Sequence, residues 1–357
     1  MFHKTTLHTT AAICLLSLSA NGVWAIDIIN RKSTDKRASG DITEMTRSEV
    51  KITPKAGPAV TVPANDIVSI EFDSEPQELK TAEGLVLNNQ YDKAREQYQA
   101  ALSSASTDKP YLRKQIEFLR ARSWALEGLA EPAVTEKAIE ELGRFLEANR
   151  DFYRYDEALV LQARLMSASN DPGRVETLFT QLSTSPFPES QLQADLIKAD
   201  QLLKKGEYEK SLEAFAALMQ TAQGKDQLVG VNQLALKGRV DSLAGLKKPQ
   251  EALELLQQGL ATVDDRQPSV LADMYVQKGR LQELAGNVDD AILSYLMVDL
   301  VLGPQLAKRD ANTQAEALYH LAKLWPLAGH PERATQAATT LQSNFAGSPW
   351  LTKLQEK

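Results

Sequence analysis

His320 and His330 are the histidines beyond the first 25 residues, and histidine is the residue type best suited to metal binding and acid–base chemistry. Their spacing fits neither a helical metal pair nor a zincin motif, because His-Glu-x-x-His is absent and no third ligand lies near them in the sequence. The chain also lacks the phosphate loops Gly-x-x-x-x-Gly-Lys and Gly-x-Gly-x-x-Gly and the nucleophile elbow Gly-x-Ser-x-Gly. We therefore expect no catalytic residues, no metal and no cofactor.

Paired carboxylates are the next candidates for acid–base work. Asp264-Asp265 stands at a predicted helix end and Asp289-Asp290 at a predicted helix start. Acids at such positions satisfy free backbone N–H groups. We interpret both pairs as capping residues.

A series of basic residues forms the most regular polar pattern, because each follows a small residue. The series is Arg122 after Ala121, Arg164 after Ala163, Arg239 after Gly238, Arg280 after Gly279 and Lys323 after Ala322. Asp200 and Glu83 occupy the same position after Ala199 and Ala82. Such a ladder can bind the carboxylates of an extended acidic peptide or an anionic polymer. Alternatively, each base pairs with an acid on an adjacent helix, which contributes only about 0 to 1 kcal/mol.

Helices must position this series. After Pro76 the sequence predicts helices of roughly 12 to 15 residues, with apolar residues at three- and four-residue spacing. Within them a motif recurs: a small residue, a second small residue about twelve positions later, and an aromatic residue or Leu four further on. The second small residues are Ala94, Ala138, Val175, Ser211, Ala252, Ala291 and Ala334.

The first unit, with Ala82 and the run Tyr91 to Leu102, resembles the tetratricopeptide (TPR) repeat, and so do the units at Ala199, Gly279 and Ala322. The resemblance implies a mainly α fold, a right-handed solenoid of about seven helix pairs over residues 77–357, with Pro349 to Leu354 as a cap. The intervals between units exceed the roughly 34 residues of the family. The boundaries of the individual repeats are therefore less well defined than the class of repeat.

The same resemblance places the residue after the small one on the concave face of the solenoid. Arg122, Arg164, Arg239, Arg280 and Lys323 are thus the expected ligand-binding residues. The expected partner is another protein or a peptide segment, with an acidic segment as one option.

Residues 1–25 differ from the rest of the chain. Lys4 precedes the apolar stretch Ala11 to Ala20, and Val23 and Ala25 stand at −3 and −1 of a cleavage site. This pattern predicts a signal peptide and a periplasmic or extracellular protein, with an uncleaved anchor as the alternative. Cys14, the one cysteine, would leave with the signal peptide.

Residues 26–76 alternate with a period near two, which predicts four or five short strands. About fifty residues provide little core, so a small closed or half-closed barrel is expected. The run from Gly40 to Phe72 resembles the small barrel that precedes helical repeats in some exported bacterial proteins. Sm-like barrels of this size often bind RNA, and a basic cluster lies at Arg31, Lys32, Lys36 and Arg37.

Charge argues against a nucleic-acid partner. The 357 residues carry 40 basic and 47 acidic side chains and a net charge of −7, which disfavours binding to a phosphate backbone. The predicted barrel lacks a row of aromatic residues on which bases could stack. Apolar runs long enough to cross a bilayer are also absent from the sequence.

Together these features predict a non-enzymatic protein-binding scaffold or adaptor of the cell envelope. One alternative is an accessory or catalytic protein of envelope polymer metabolism, with its active carboxylates hidden among the surface acids. The other is a self-associating structural stalk. The sequence leaves the oligomeric state open.

Overall fold

The structure, a computed structural model, describes residues 26–34, 36–168, 175–225, 228–264, 267–306 and 311–356. The expected signal peptide and Asp265 lie outside the described residues. Strands come first, and helices follow from Gln77 onward. The predicted fold class, a mainly α repeat protein with a small β portion at its start, is confirmed.

Five strands form one antiparallel sheet in the order β4-β3-β2-β1-β5. They are β1 (Asp27–Arg31), β2 (Ala38–Met45), β3 (Glu49–Thr53), β4 (Val60–Pro63) and β5 (Ile67–Glu71). β2 pairs with β1 from Ala38 to Gly40 and then with β3 from Asp41 onward. A Cβ on Gly40, whose φ is +158°, would lie 2.2 Å from the carbonyl oxygen of Thr53. Only glycine therefore fits where β2 changes partner.

The two edge strands of the sheet meet at one corner. β4 ends at Pro63, β5 begins at Ile67, and a single 3-10 turn joins them. The edges of a flat five-stranded sheet lie about 19 Å apart, at about 4.8 Å per strand, whereas four residue steps reach at most about 14 Å. The sheet must therefore curl, and it does so around the fully buried Ile29, Val50 and Val62.

Helices alternate in two roles, and we call them A and B helices. The A helices are α1 (Gln77–Leu87), α3 (Pro110–Ala130), α5 (Tyr155–Ala168), α7 (Pro188–Lys204), α9 (Val229–Gly245), α11 (Pro268–Leu284) and α13 (Ala311–Leu324). The B helices are α2 (Tyr91–Ser104), α4 (Thr135–Ala148), α6 (Glu176–Ser183), α8 (Tyr208–Ala222), α10 (Pro249–Leu260), α12 (Val288–Leu296) and α14 (Pro331–Asn344). A short helix, α15 (Pro349–Gln355), packs on α13 at the end of the repeats.

Small residues lie where the two helices of a pair cross. Ser211 Oγ in α8 donates a hydrogen bond to the carbonyl oxygen of Ala199 in α7 at 3.2 Å. Gly279 in α11 lies against the ring of Tyr295 in α12, and a Cβ there would come within 2.6 Å of it. The motif positions therefore set how closely the paired backbones approach.

The acidic pair at the start of α12 does not act as the expected cap. The N-cap residue of α12 is Asn287, and its side chain makes no capping hydrogen bond. Asp289 and Asp290 lie inside the first turn, where negative charge stabilises the helix through its macrodipole. Their role is electrostatic.

One hydrophobic core runs from the sheet into the first repeats. It includes Ile29 and Ile70 of the sheet, Leu79 of α1 and Leu159 of α5. Separate buried clusters follow between α7 and α9, between α9 and α11, and from α11 to α14. The sheet is thus packed onto the first repeats. None of the described helices is both long enough and apolar enough to span a membrane.

Candidate binding groove

Four clefts lie along the A helices. The α1 cleft, of about 520 Å³, lies among α1, α2 and α3. The sheet cleft, of about 590 Å³, lies between β5 and the helices α3, α5 and α7. The central cleft, of about 370 Å³, is bordered mainly by α5, α7 and α9. The distal cleft, of about 630 Å³, is bordered by α9, α10 and α11.

Shared side chains join the four clefts. Arg122 and Leu126 line both the α1 cleft and the sheet cleft. Arg164 lines both the sheet cleft and the central cleft. Leu234 and Lys237 line both the central cleft and the distal cleft. The clefts therefore form one groove, which runs from α1 to α11.

Polar contacts hold the sheet as one wall of this groove. Arg47 Nε, just after β2, donates a hydrogen bond to Asp156 Oδ1 in α5 at 2.7 Å. Asn65 Nδ2, in the turn before β5, donates to Glu189 Oε1 in α7 at 2.7 Å. Because the contacts reach two different A helices, the position of the sheet is fixed relative to the repeats.

Arg154 connects the sheet to the charged groups of the sheet cleft. Its Nη1 lies 2.7 Å from Glu157 Oε2, and its Nη2 donates to the Val68 carbonyl oxygen at 3.3 Å. Its Nε donates to the hydroxyl oxygen of Tyr153 at 2.9 Å. Burial disfavours the charge, but Tyr153 and Glu157 outweigh burial and raise the pKa of Arg154. Arg154 is therefore a fixed cation at this wall.

The structure brings Arg122 and Arg164 of the predicted ladder together at the sheet cleft. Arg122 Nε lies 3.4 Å from Glu157 Oε1 on the next A helix. Arg164 Nη2 donates to Gln193 Oε1 in α7 at 3.4 Å. Asp200 lines the central cleft with Arg164. Arg122 thus makes the pairing with an adjacent A helix that was the alternative to ligand binding.

The other three ladder residues are not among the described residues that line the four clefts. Arg239 Nη1 lies 3.5 Å from Met219 Sδ in α8. Arg280 in α11 pairs with Glu316 in α13, and Lys323 Nζ donates to the hydroxyl oxygen of Tyr319 at 3.3 Å. The structure therefore separates the predicted series into two groove residues and three residues outside the groove.

Lys237 and Asp241 are the charged groove residues of α9, and sequence reasoning missed both. Lys237 Nζ lies 2.6 Å from Asp241 Oδ2. Gln277 Nε2 of α11 donates to Asp241 Oδ1 at 2.8 Å. These contacts connect two successive A helices at the border of the central and distal clefts.

The sequence contains a signal for this register. In most units the first small residue stands twelve positions before the second, as Ala199 does before Ser211. Twelve positions before Ala252 stands Val240, so the residue equivalent to the ladder position in this unit is Asp241. Gly238, which suggested the other register, instead lies against Phe215 of the preceding B helix.

His320 forms a polar cluster near the C-terminal end of the solenoid. Its Nδ1 lies 2.7 Å from Glu283 Oε1, and its ring stacks on Tyr295 with centroids 4.7 Å apart. Burial opposes ionisation of Glu283, but hydrogen bonds from His320 and Tyr295 outweigh it and lower the pKa of Glu283. Among the described residues, no three or more His, Cys, Asp or Glu side chains are grouped as a metal site.

No family model matches the chain, and no curated protein matches it. Solved structures offer likenesses at low identity. One is pilF of Pseudomonas aeruginosa, 16% identical with a TM-score of 0.38 over 67% of this chain and 98% of the other. Another is PilW, described as a type IV pilus biogenesis factor, 17% identical with a TM-score of 0.33 over 78% and 96% of the two chains.

A third likeness is to the TPR domain of P58(IPK). It is 17% identical, with a TM-score of 0.27 over 78% of this chain and 77% of the other. The repeat architecture of this chain therefore rests on its own helix pairs and motif residues.

Proposed function

We propose that the chain is a non-enzymatic binding scaffold that holds a segment of another protein in the groove between α1 and α11. The observation that carries this proposal is the continuity of the four clefts through shared side chains. The groove runs from α1 to α11, and a site this extended suits an extended polypeptide better than a compact small molecule, which normally binds in one enclosed pocket.

The sheet completes this site. We propose residues 26–76 as a small β domain and residues 77–357 as the repeat domain, with the β domain acting as a wall of the groove. The contacts of Arg47 with α5 and of Asn65 with α7 support that role. A partner would then touch both domains at once.

We also propose that the protein works in the cell envelope or outside the cell after removal of residues 1–25. The support is the signal-peptide pattern of the sequence. Fractionation followed by mass measurement tests it, with a chain that begins at Ile26 outside the cytoplasm as the expected result. A full-length chain confined to the cytoplasm contradicts it.

Site-specific photo-crosslinking in cells tests the groove itself. A photoreactive residue at position 234 reports on the groove, because Leu234 lines both the central and the distal cleft. The matched control is position 293 in the B helix α12, because Leu293 is also exposed but does not line these clefts. The expected result is a discrete adduct at 234 that is absent at 293.

The basic ladder of the sequence predicts an acidic partner, and this version of the proposal competes with one in which the partner carries little net charge. Arg122 and Arg164, the ladder residues in the groove, would bind its carboxylates. Substitution of both by Gln would then abolish the adduct at position 234. Identical adducts at 234 and 293, or none at 234, would contradict the scaffold function as a whole.

A further inference from the structure

Over the described residues before α11, exposed aliphatic side chains lie mainly in the groove, whereas Leu284, Leu293, Leu300, Val301 and Leu327 are exposed outside it. The groove residues are Val68 in the sheet cleft, Leu87 in the α1 cleft, Leu129 in the central cleft, Val229 in the distal cleft and Leu234 in the last two. Their exposed fractions lie between 43% and 52%. Before α11, Val60 is the one large exposed hydrophobic residue of the described chain that lies outside the groove. Single exposed leucines are ordinary, but a row of them along one path marks an interaction surface.

The charges of the groove largely offset one another, with a small excess of acids. Lys204 Nζ lies 2.7 Å from Asp200 Oδ2, and Lys237 Nζ lies 2.6 Å from Asp241 Oδ2. Among the described lining residues, acids outnumber bases. The acids are Glu83, Asp156, Glu157, Glu189, Asp200, Asp241, Asp264 and Asp273, and the bases are Lys32, Arg122, Arg154, Arg164, Lys204 and Lys237. The groove therefore has no net positive field that would select an acidic segment.

The distal cleft combines an apolar floor with a rim of amides. Leu236, Leu256 and Met274 are buried beneath it. Gln233 Nε2 donates to Gln267 Oε1 across the rim at 3.3 Å. Side-chain amides both donate and accept hydrogen bonds, which matches the alternating N–H and C=O groups of a peptide backbone. The rim is therefore suited to hydrogen-bond the backbone of a bound peptide, and the apolar floor is suited to bury one of its side chains.

We infer that the occupant of the groove is an extended protein segment of low net charge, whose bulky aliphatic or aromatic side chains enter the central and distal clefts. This inference rests on the proposed scaffold function and specifies its partner. Leu129 and Leu234 bury the apolar side chains of the segment, and the glutamine rim binds its backbone. The paired charges of the groove keep their own partners.

Selection from a display library of random twelve-residue peptides on the full chain tests the inference. The expected peptides carry two or more bulky apolar residues and few charges. Their dissociation constants rise about tenfold or more in L129S/L234S, because the apolar contact area is lost. Both leucines are partly exposed, so the double substitution leaves the core intact. The control L293S, at an exposed leucine of α12, changes the dissociation constants less than about twofold.

Charge variants separate the two ways in which the experiment can fail. For the expected peptides, R164Q and a rise in salt change the dissociation constants less than about threefold. Acidic peptides that are lost in R164Q and at high salt would overturn the inference and leave the groove as the binding site. If no peptide is enriched, or if L129S/L234S and R164Q are both without effect, the scaffold function itself fails.

Discussion

Phe215 of α8 covers Gly238 of α9 so closely that a Cβ on Gly238 would lie 2.3 Å from two ring carbons. Phe215 is buried, although its ring also borders the central cleft. Gly238→Ala therefore has to shift the ring or separate the helices. We expect the substitution to lower the free energy of unfolding by about 2 kcal/mol, as overpacking of a core does, measured by urea denaturation.

Gly230 provides the control within the same helix. A Cβ there would meet nothing within 4 Å. Gly230→Ala should leave stability unchanged or raise it by up to about 0.5 kcal/mol, because alanine favours the helix. A similar loss in both variants would show that glycine flexibility, and not close packing against Phe215, explains the effect.

Arg47 should hold the sheet on the repeats. Its guanidinium contacts Asp156, whose side chain is largely buried and would lose its cationic partner in Arg47→Ala. We expect a loss of about 2 kcal/mol, since removal of one partner leaves a poorly compensated charge. Hydrogen exchange should accelerate mainly in residues 26–72.

Lys51 is the matched control for Arg47. It pairs with Glu44 at 3.2 Å on the exposed face of the sheet, where both side chains are largely open to water. Exposed pairs contribute about 0 to 1 kcal/mol, so Lys51→Ala should have little effect. Exchange that accelerates equally along the whole chain in Arg47→Ala would contradict a local role at the sheet.

Glu283 should make stability depend on pH in the acid range. Its pKa in the folded protein lies below the ordinary value of 4.5, although burial alone would raise it, because His320 and Tyr295 donate hydrogen bonds to the carboxylate. The ionised group therefore stabilises the fold above pH 4.5, and this contribution is lost as pH falls through the folded pKa.

Glu283→Gln tests that dependence. At pH 7 the variant should be less stable by about 1 kcal/mol, and the difference should shrink as urea denaturation is repeated from pH 5 downward. Glu332→Gln, at an exposed pair with His330, should show little difference at any pH. A deficit in Glu283→Gln that stays constant with pH would contradict the role of ionisation.

Trp350 should stabilise the last repeat. Its ring lies 5.2 Å from that of Tyr319 and 5.9 Å from that of His320. Trp350→Ala should cost about 1 to 2 kcal/mol, less than full burial would give. Because repeats are stabilised mainly by their neighbours, hydrogen exchange should accelerate in α13 and α14 and remain unchanged in α1 to α7. Thr352→Ala, at an exposed position of the same helix, is the control.

Local sequence patterns were sufficient to predict the elements of the fold. Alternating β-branched residues indicated the strands, and the small residues at twelve-residue separation indicated the helix pairs. The register of the α9–α10 pair could not be read in the same way, because a small residue such as Gly238 can be required by contact with its own B helix or with the preceding one. In the structure Gly238 lies against the ring of Phe215. This contact is between neighbouring units, and no local motif specifies it.

The groove was predicted only in part for a related reason. A repeat motif identifies which face of a helix carries Arg122, but not which acid on another helix stands opposite. Glu157 lies 3.4 Å from Arg122 only because α3 and α5 pack side by side. The exposed leucines were also missed, since an apolar residue in a helical sequence is normally assigned to the core.

The common core of the sheet and the first repeats implies a direction for mechanical unfolding. When the two ends of the chain are pulled apart, the helices near the C-terminus are held by smaller, separate hydrophobic clusters. The sheet, by contrast, shares its hydrophobic core with α1 to α7. We expect extension to begin at α15 and proceed toward the sheet, so that a scaffold under tension releases its far end first and keeps the sheet cleft until last.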